Sequence, residues 1–117
     1  MAINWDTLKQ RYLQSDRTSQ LESITLNLAR IQALANSEDD CQVARHLVRE
    51  SQFFIEWTVP TIDLDKDLSI AAELVDLQRQ LSEWKIDWET LWATSTNRAA
   101  LVVQAQQWCD RLQVCVV

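Results

Sequence analysis

The chain has 117 residues, 47% of them apolar and 24% charged, with seventeen acidic against eleven basic side chains and a formal charge of -6. That is the length of one domain, enough to bury about two thirds of the surface an unfolded chain exposes, and too apolar for intrinsic disorder. Lys and Arg are spread along the chain and never gathered in a block, so nucleic acid is repelled by most of the surface expected here.

Glycine is absent and Pro60 is the single proline. Tight hairpins, bulges and type II turns depend on glycine for positive φ, whereas helices joined by polar loops do not. The same absence excludes a P-loop, a dinucleotide fingerprint and a nucleophile elbow, each of which needs glycine where the backbone approaches phosphate or turns sharply.

Asn4 is a suitable cap for a short first helix in which Trp5, Leu8 and Tyr12 share one face, ending near Gln14. The Trp5-x2-Leu8-x3-Tyr12 spacing matches the opening of a tetratricopeptide repeat. Lys9 stands where that repeat has glycine and no second copy follows, so no repeat architecture is expected. Ser19 and Glu22 fit a capping box for a second helix carrying Leu21, Ile24, Leu28, Ile31 and Ala35, with Asn36 as a left-handed residue at its end.

Ser37 and Asp40 repeat the cap, and Glu38, Asp39 and Asp40 place negative charge on the positive end of a third helix. Its inward face reads Ala44, Leu47, Val48, Ser51, Phe54 and Ile55, until Pro60 prevents continuation. From about Asp65 a heptad row runs through Ile70, Leu74, Leu77, Leu81, Trp84, Trp88 and Leu91. An unbroken helix of that length would reach about 45 Å against an expected radius of gyration of about 13 Å, so a bend is predicted between Ser82 and Asp87. Thr94 to Thr96 offer caps for a last helix with Leu101, Val102, Ala105, Trp108, Cys109, Leu112 and Cys115 on its face. The fold class predicted is all-α: one domain over residues 1–117, an antiparallel up-and-down helical bundle of four main helices plus a short N-terminal helix.

The three cysteines, Cys41, Cys109 and Cys115, are odd in number and form no C-x-x-C, which reads as free thiols packed as small hydrophobes in a reducing cytoplasm. There is no apolar h-region of a secretion signal and no run of about 18 apolar residues for a spanning helix. The Val114-Cys115-Val116-Val117 tail sets its cysteine one place too late for prenylation and is expected to be buried packing.

His46 is the only histidine and has Glu50 one turn away, a spacing that suits either an acid–base pair or a plain surface pair. No Glu-x-x-His exists for a di-iron site, and Cys109 with Cys115 lack companion zinc ligands. Asp63, Asp65 and Asp67 imitate the first ligands of a calcium loop. Leu68 and Leu74 occupy the positions of its glycine and bidentate glutamate, which leaves acidic capping of the following helix as the expectation. No metal and no cofactor is expected.

Six tryptophans are many for this length; Trp84, Trp88 and Trp92 step by four, with Trp84 and Trp88 on the core row and Trp92 to one side. Phe53 and Trp57 likewise flank the main face of their helix. Phe53, Trp57 and Trp92 are therefore the candidate partner-binding residues of a non-enzymatic module that binds itself or another protein, with neither nucleic acid nor membrane as partner. The alternative is a small-molecule or pigment carrier with Trp side chains walling a cavity of about 300 Å³ or more. An enzyme using His46 with Glu50, or a reactive Cys41 at a helix start, is the third reading, and an acidic regulator of a DNA-binding protein the fourth.

Overall fold

The structure, a computed structural model, describes residues 4–116, with the side chain of Val116 and all of Val117 outside the described set. Six helices follow one another: α1 (Trp5–Gln14), α2 (Arg17–Leu34), α3 (Cys41–Thr58), α4 (Leu64–Ile86), α5 (Trp88–Ala93) and α6 (Ser95–Val116), with one-turn 3-10 segments at Glu38–Asp40 and Val59–Thr61. The fold is all-α. Helices α2, α3, α4 and α6 form the bundle, α2 packing against both α3 and α6, and α4 closing the ring, while α1 lies on α3. None of these helices is long and apolar enough to cross a membrane.

Each helix starts and stops for a local reason. Asn4 Oδ1 accepts from the Thr7 N–H at 3.1 Å, the cap expected for α1. Helix α2 begins earlier than the Ser19 and Glu22 pair suggests: Asp16 Oδ1 accepts from the Ser19 N–H at 2.7 Å, so Arg17 is already helical. That bond holds the Asp16 carboxyl below the usual carboxylate range. Ser37 caps the 3-10 turn through Asp39 N–H, and α3 proper starts at Cys41 without a side-chain cap. The helix end at Ala35 needs no left-handed residue, contrary to the role expected of Asn36. Among the described residues no φ is positive, and Asn36 Nδ2 instead donates to the Ala33 carbonyl at 3.2 Å.

The long heptad row breaks where length demanded it. Asp87, at φ -111° and ψ 26°, separates α4 from α5, and Asp67 interrupts helical geometry near the start of α4. The radius of gyration is 14.3 Å and the longest dimension 43 Å.

The core joins Leu21, Ile24, Leu28 and Ile31 of α2 with Ala44, Val48 and Ile55 of α3, Leu74, Leu77 and Leu81 of α4, and Leu101, Ala105 and Leu112 of α6. Leu47 and Leu91, expected inside, are only half-buried. Burying each of the leucine, isoleucine and valine side chains stabilises by about 1.5–3 kcal/mol before conformational entropy is set against it. The buried polar residues are paired: Asn27 Nδ2 donates to Glu50 Oε1 (3.1 Å) and Ser51 Oγ (3.2 Å), and the Tyr12 hydroxyl shares a 2.6 Å bond with Thr58 Oγ1, whereas Oε1 of the half-buried Gln78 has no partner among the described residues. Arg111 forks onto Glu73 at 2.8 and 3.0 Å, tying α6 to α4, and lies 3.9 Å from the Trp108 ring centre. At the tail Val114 is 76% exposed, so burial does not extend through it; Cys115 is half-buried.

Candidate functional site

The three partner-binding candidates do not share a surface. Trp92 is 1% exposed and its indole N–H donates to the Ser37 and Glu38 carbonyls at 3.3 and 3.1 Å. The flank expected of it assumed one continuous helix. The break at Asp87 starts a new axis for α5 and turns Trp92 inward, stacked on Trp88 at 5.3 Å between ring centres, while Leu91 moves to the half-buried side. Arg98 closes this corner, donating to the Trp92 carbonyl at 2.6 Å and the Ala35 carbonyl at 3.1 Å.

Phe53 and Trp57 do meet. They stack at 5.7 Å on the outer side of α3, and Trp5 of α1 closes on Phe53 at 4.5 Å and on His46 at 5.9 Å. Tyr12 extends the strip inward, 4.4 Å from Phe54 and 5.9 Å from Trp57. Trp5, His46, Phe53 and Trp57 are all half-buried, so the strip is anchored along one edge and open along the other.

Beside this strip a furrow runs between α3 and α4. Its upper part is a depression of about 340 Å³ lined by Gln42, Arg45, His46, Arg49 and Lys85. The next hollow, about 210 Å³, is lined by Arg49, Gln52, Phe53, Glu56 and Lys85. A third, about 300 Å³ and largely apolar, lies between Ile55, Val59 and Pro60 of the α3 end and Val75 and Gln78 of α4. The antiparallel run of α3 and α4 produces this sequence of hollows, and two bonds cross it, Gln52 Nε2 donating to Ser82 Oγ and Gln78 Nε2 donating to the Gln52 backbone carbonyl, both at 3.3 Å. From Gln42 to Glu56 the furrow follows α3 for about 20 Å at 1.5 Å per residue.

The cations are what the sequence scattered and the fold gathers. Arg45 and Arg49, one turn apart on α3, meet Lys85 from the far end of α4. Arg49 lies over the Phe53 ring at 5.7 Å, a contact that steadies a guanidinium while leaving its N–H groups free. Arg45 has one carboxylate, Glu89, at 3.9 Å; Arg49 and Lys85 have none within 4 Å among the described residues. The only advance sign of this cluster is the Arg45 and Arg49 spacing, because Lys85 is 36 positions further on.

The remaining candidates have structural occupations. Glu50 is held by Asn27, and among the described residues no ion pair or hydrogen bond joins it to His46. Burial, and then the Glu89 carboxylate 3.9 Å from its sulfur, push the Cys41 thiol above its ordinary pKa, the opposite of an activated nucleophile. Burial likewise raises Cys109 and Cys115, and all three thiols are free. Asp63 Oδ1 accepts from the Asp65 N–H at 3.0 Å, the capping role, and among the described residues the Asp63, Asp65 and Asp67 carboxylates form no ligand cluster.

Compared with known proteins, the chain matches no protein-family model, no curated protein and no solved structure.

Proposed function

We propose that the protein is a non-enzymatic interaction module that docks a partner protein along the outer face of α3. The observation that carries this reading is the open aromatic strip of Trp5, Phe53 and Trp57 lying beside the furrow. Partly exposed aromatics held rigid by stacking present large contact area at little entropic cost, which is why such residues dominate interface energetics. Trp92 takes no part, being spent on the core.

A foreign partner is favoured over a second copy. The furrow is cationic at one end while the chain as a whole carries -6. Two copies that each carry this net charge repel one another as wholes, a cost that a foreign partner need not bring. The carrier reading has less behind it, since the depressions touched by Trp88 and Trp92 hold only about 140 and 230 Å³.

Two experiments test the proposal. Light scattering over a concentration series, on the wild type and on a Phe53→Ala/Trp57→Ala variant, separates self-association from a monomer. A photocrosslinking side chain in place of the exposed Glu56 then captures whatever docks beside the strip in a cell extract. A crosslinked protein lost in the aromatic variant supports the reading; identical capture by both forms, with a monomer throughout, sinks it.

A further inference from the structure

Three of the eleven basic side chains of an acidic protein, with its one histidine, face a single depression. Arg45 and Arg49 are spaced for i,i+4 neighbours on α3, Lys85 comes from the opposite wall, and Gln42 adds an amide at the top. Like charges brought this close repel one another, and folding gains nothing from the arrangement unless something anionic joins it. Glu89 meets only part of that demand: it reaches Arg45 at 3.9 Å and Gln42 at 3.4 Å, from a side chain 72% exposed. Among the described residues Lys85 and Arg49 make no hydrogen bond or ion pair, and the Arg49 guanidinium is already positioned on Phe53.

We propose that this depression is a recognition site for a dianionic oxyanion of the phosphate class. Three cations bring more charge than one carboxylate neutralises, and two guanidinium forks with an ammonium match a group carrying three acceptor oxygens. A volume of about 340 Å³ suits a phosphate ester with a small organic body. Asp87, Glu89 and the last carbonyls of α4 oppose an anion at the lower rim, so the group sits toward α3, next to His46 and the aromatic strip. The site rests on the docking reading only for the source of the group: a phosphorylated side chain of the docked partner, or a free phosphate ester.

The test is an amide chemical-shift titration with inorganic pyrophosphate. The proposal expects saturable shifts at residues 42–49 and 85, half-complete near about 1 mM or below. An Arg45→Gln/Arg49→Gln/Lys85→Gln variant should weaken binding about fivefold or more, three exposed charge contacts being worth a few tenths to 1 kcal/mol each. A control with the same change in net charge, Lys9→Gln/Arg30→Gln/Lys66→Gln, should leave affinity within about twofold of wild type. These side chains are mostly solvent-exposed, so both variants are expected to keep native spectra. Shifts that never saturate, that spread over every basic residue, or that fall equally in both variants overturn the site. Phosphoserine and a short phosphoserine peptide are then compared: tighter binding of the peptide gives the partner as source, equal binding gives a free ester. Pyrophosphate binding without any crosslinked partner would remove the docking reading and leave the anion site standing; a crosslinked partner without pyrophosphate binding would do the reverse.

Discussion

Trp88 bonds to the first residue of α3 and Trp57 stands next to its last, and the contrast between them separates aromatic residues that build this fold from those left available on its surface. Trp84, Trp88 and Trp92 are at most 2% exposed, and each indole N–H has a partner inside: Gln104 Oε1 at 2.9 Å, the Cys41 carbonyl at 2.9 Å, and the Ser37 and Glu38 carbonyls. They clamp α4 and α5 onto the α2–α3 corner and onto α6. Trp5 and Trp57 sit half-buried against other rings and donate no hydrogen bond among the described residues. An indole whose N–H is consumed internally is committed to one place; an indole packed only by its faces can exchange those contacts for a partner's.

The largest effect expected from this division is on stability. Trp88→Ala removes a fully buried ring and its hydrogen bond to the Cys41 carbonyl, and chemical denaturation should show a loss of about 3–5 kcal/mol. Phe53→Ala/Trp57→Ala, acting on half-buried rings, should cost clearly less than that by the same measurement while abolishing partner capture. Equal losses for the two variants would erase the distinction between building and available aromatics.

Tyr12 stands between the two regions and gives a pH signature. Burial pushes its phenol up to about 12 from 10.0, despite the lowering effect of the Thr58 hydrogen bond. Because the folded value lies above the unfolded one, the unfolded chain loses this proton first. Stability is therefore intact below pH 10 and declines between pH 10 and about 12, by about 2–3 kcal/mol at the upper end. Denaturation curves at pH 9 and 11.5 check the sign, and Tyr12→Phe should flatten this part of the profile. At neutral pH Tyr12→Phe should itself cost about 1–2 kcal/mol, the bond to Thr58 at 2.6 Å being lost inside the protein. Smallest of all, Arg98→Lys should cost about 1 kcal/mol, since an ammonium does not reproduce the fork between the Ala35 and Trp92 carbonyls.

The helical architecture was legible in the 3.6-residue rows and in the absence of glycine, and the strain of an overlong α4 was legible as a length conflict. The phase of Trp92 was not. Continuing the α4 wheel places it on a flank, but a single non-helical residue, Asp87, resets that wheel for everything after it. Ser19 and Glu22 spell a capping box, yet Asp16 does the capping, three residues ahead of where that box places the helix start. Phe53 and Trp57 were visible as a flank of α3 because no break precedes them within the helix. Arg45, Arg49 and Lys85 were invisible as a group, since their meeting depends on which stretch of α4 lies against α3, a tertiary register that spacing along one helix does not encode.

Among the described residues no backbone position requires positive φ, and the chain contains no glycine. Its corners are closed by side-chain oxygens, as at Asn4, Asp16, Ser37, Asp63 and Thr94, and not by conformations that only one residue type tolerates. Corner by corner, such a chain is exchangeable: a lost cap costs about 1 kcal/mol and is replaceable by any of several residues, whereas a lost obligatory glycine has no substitute. Sequence drift is therefore cheap at the corners and expensive along the tryptophan clamp. A lineage of such chains should hold its tryptophans and let its loops wander until the helical fold outlasts any recognisable similarity between its members.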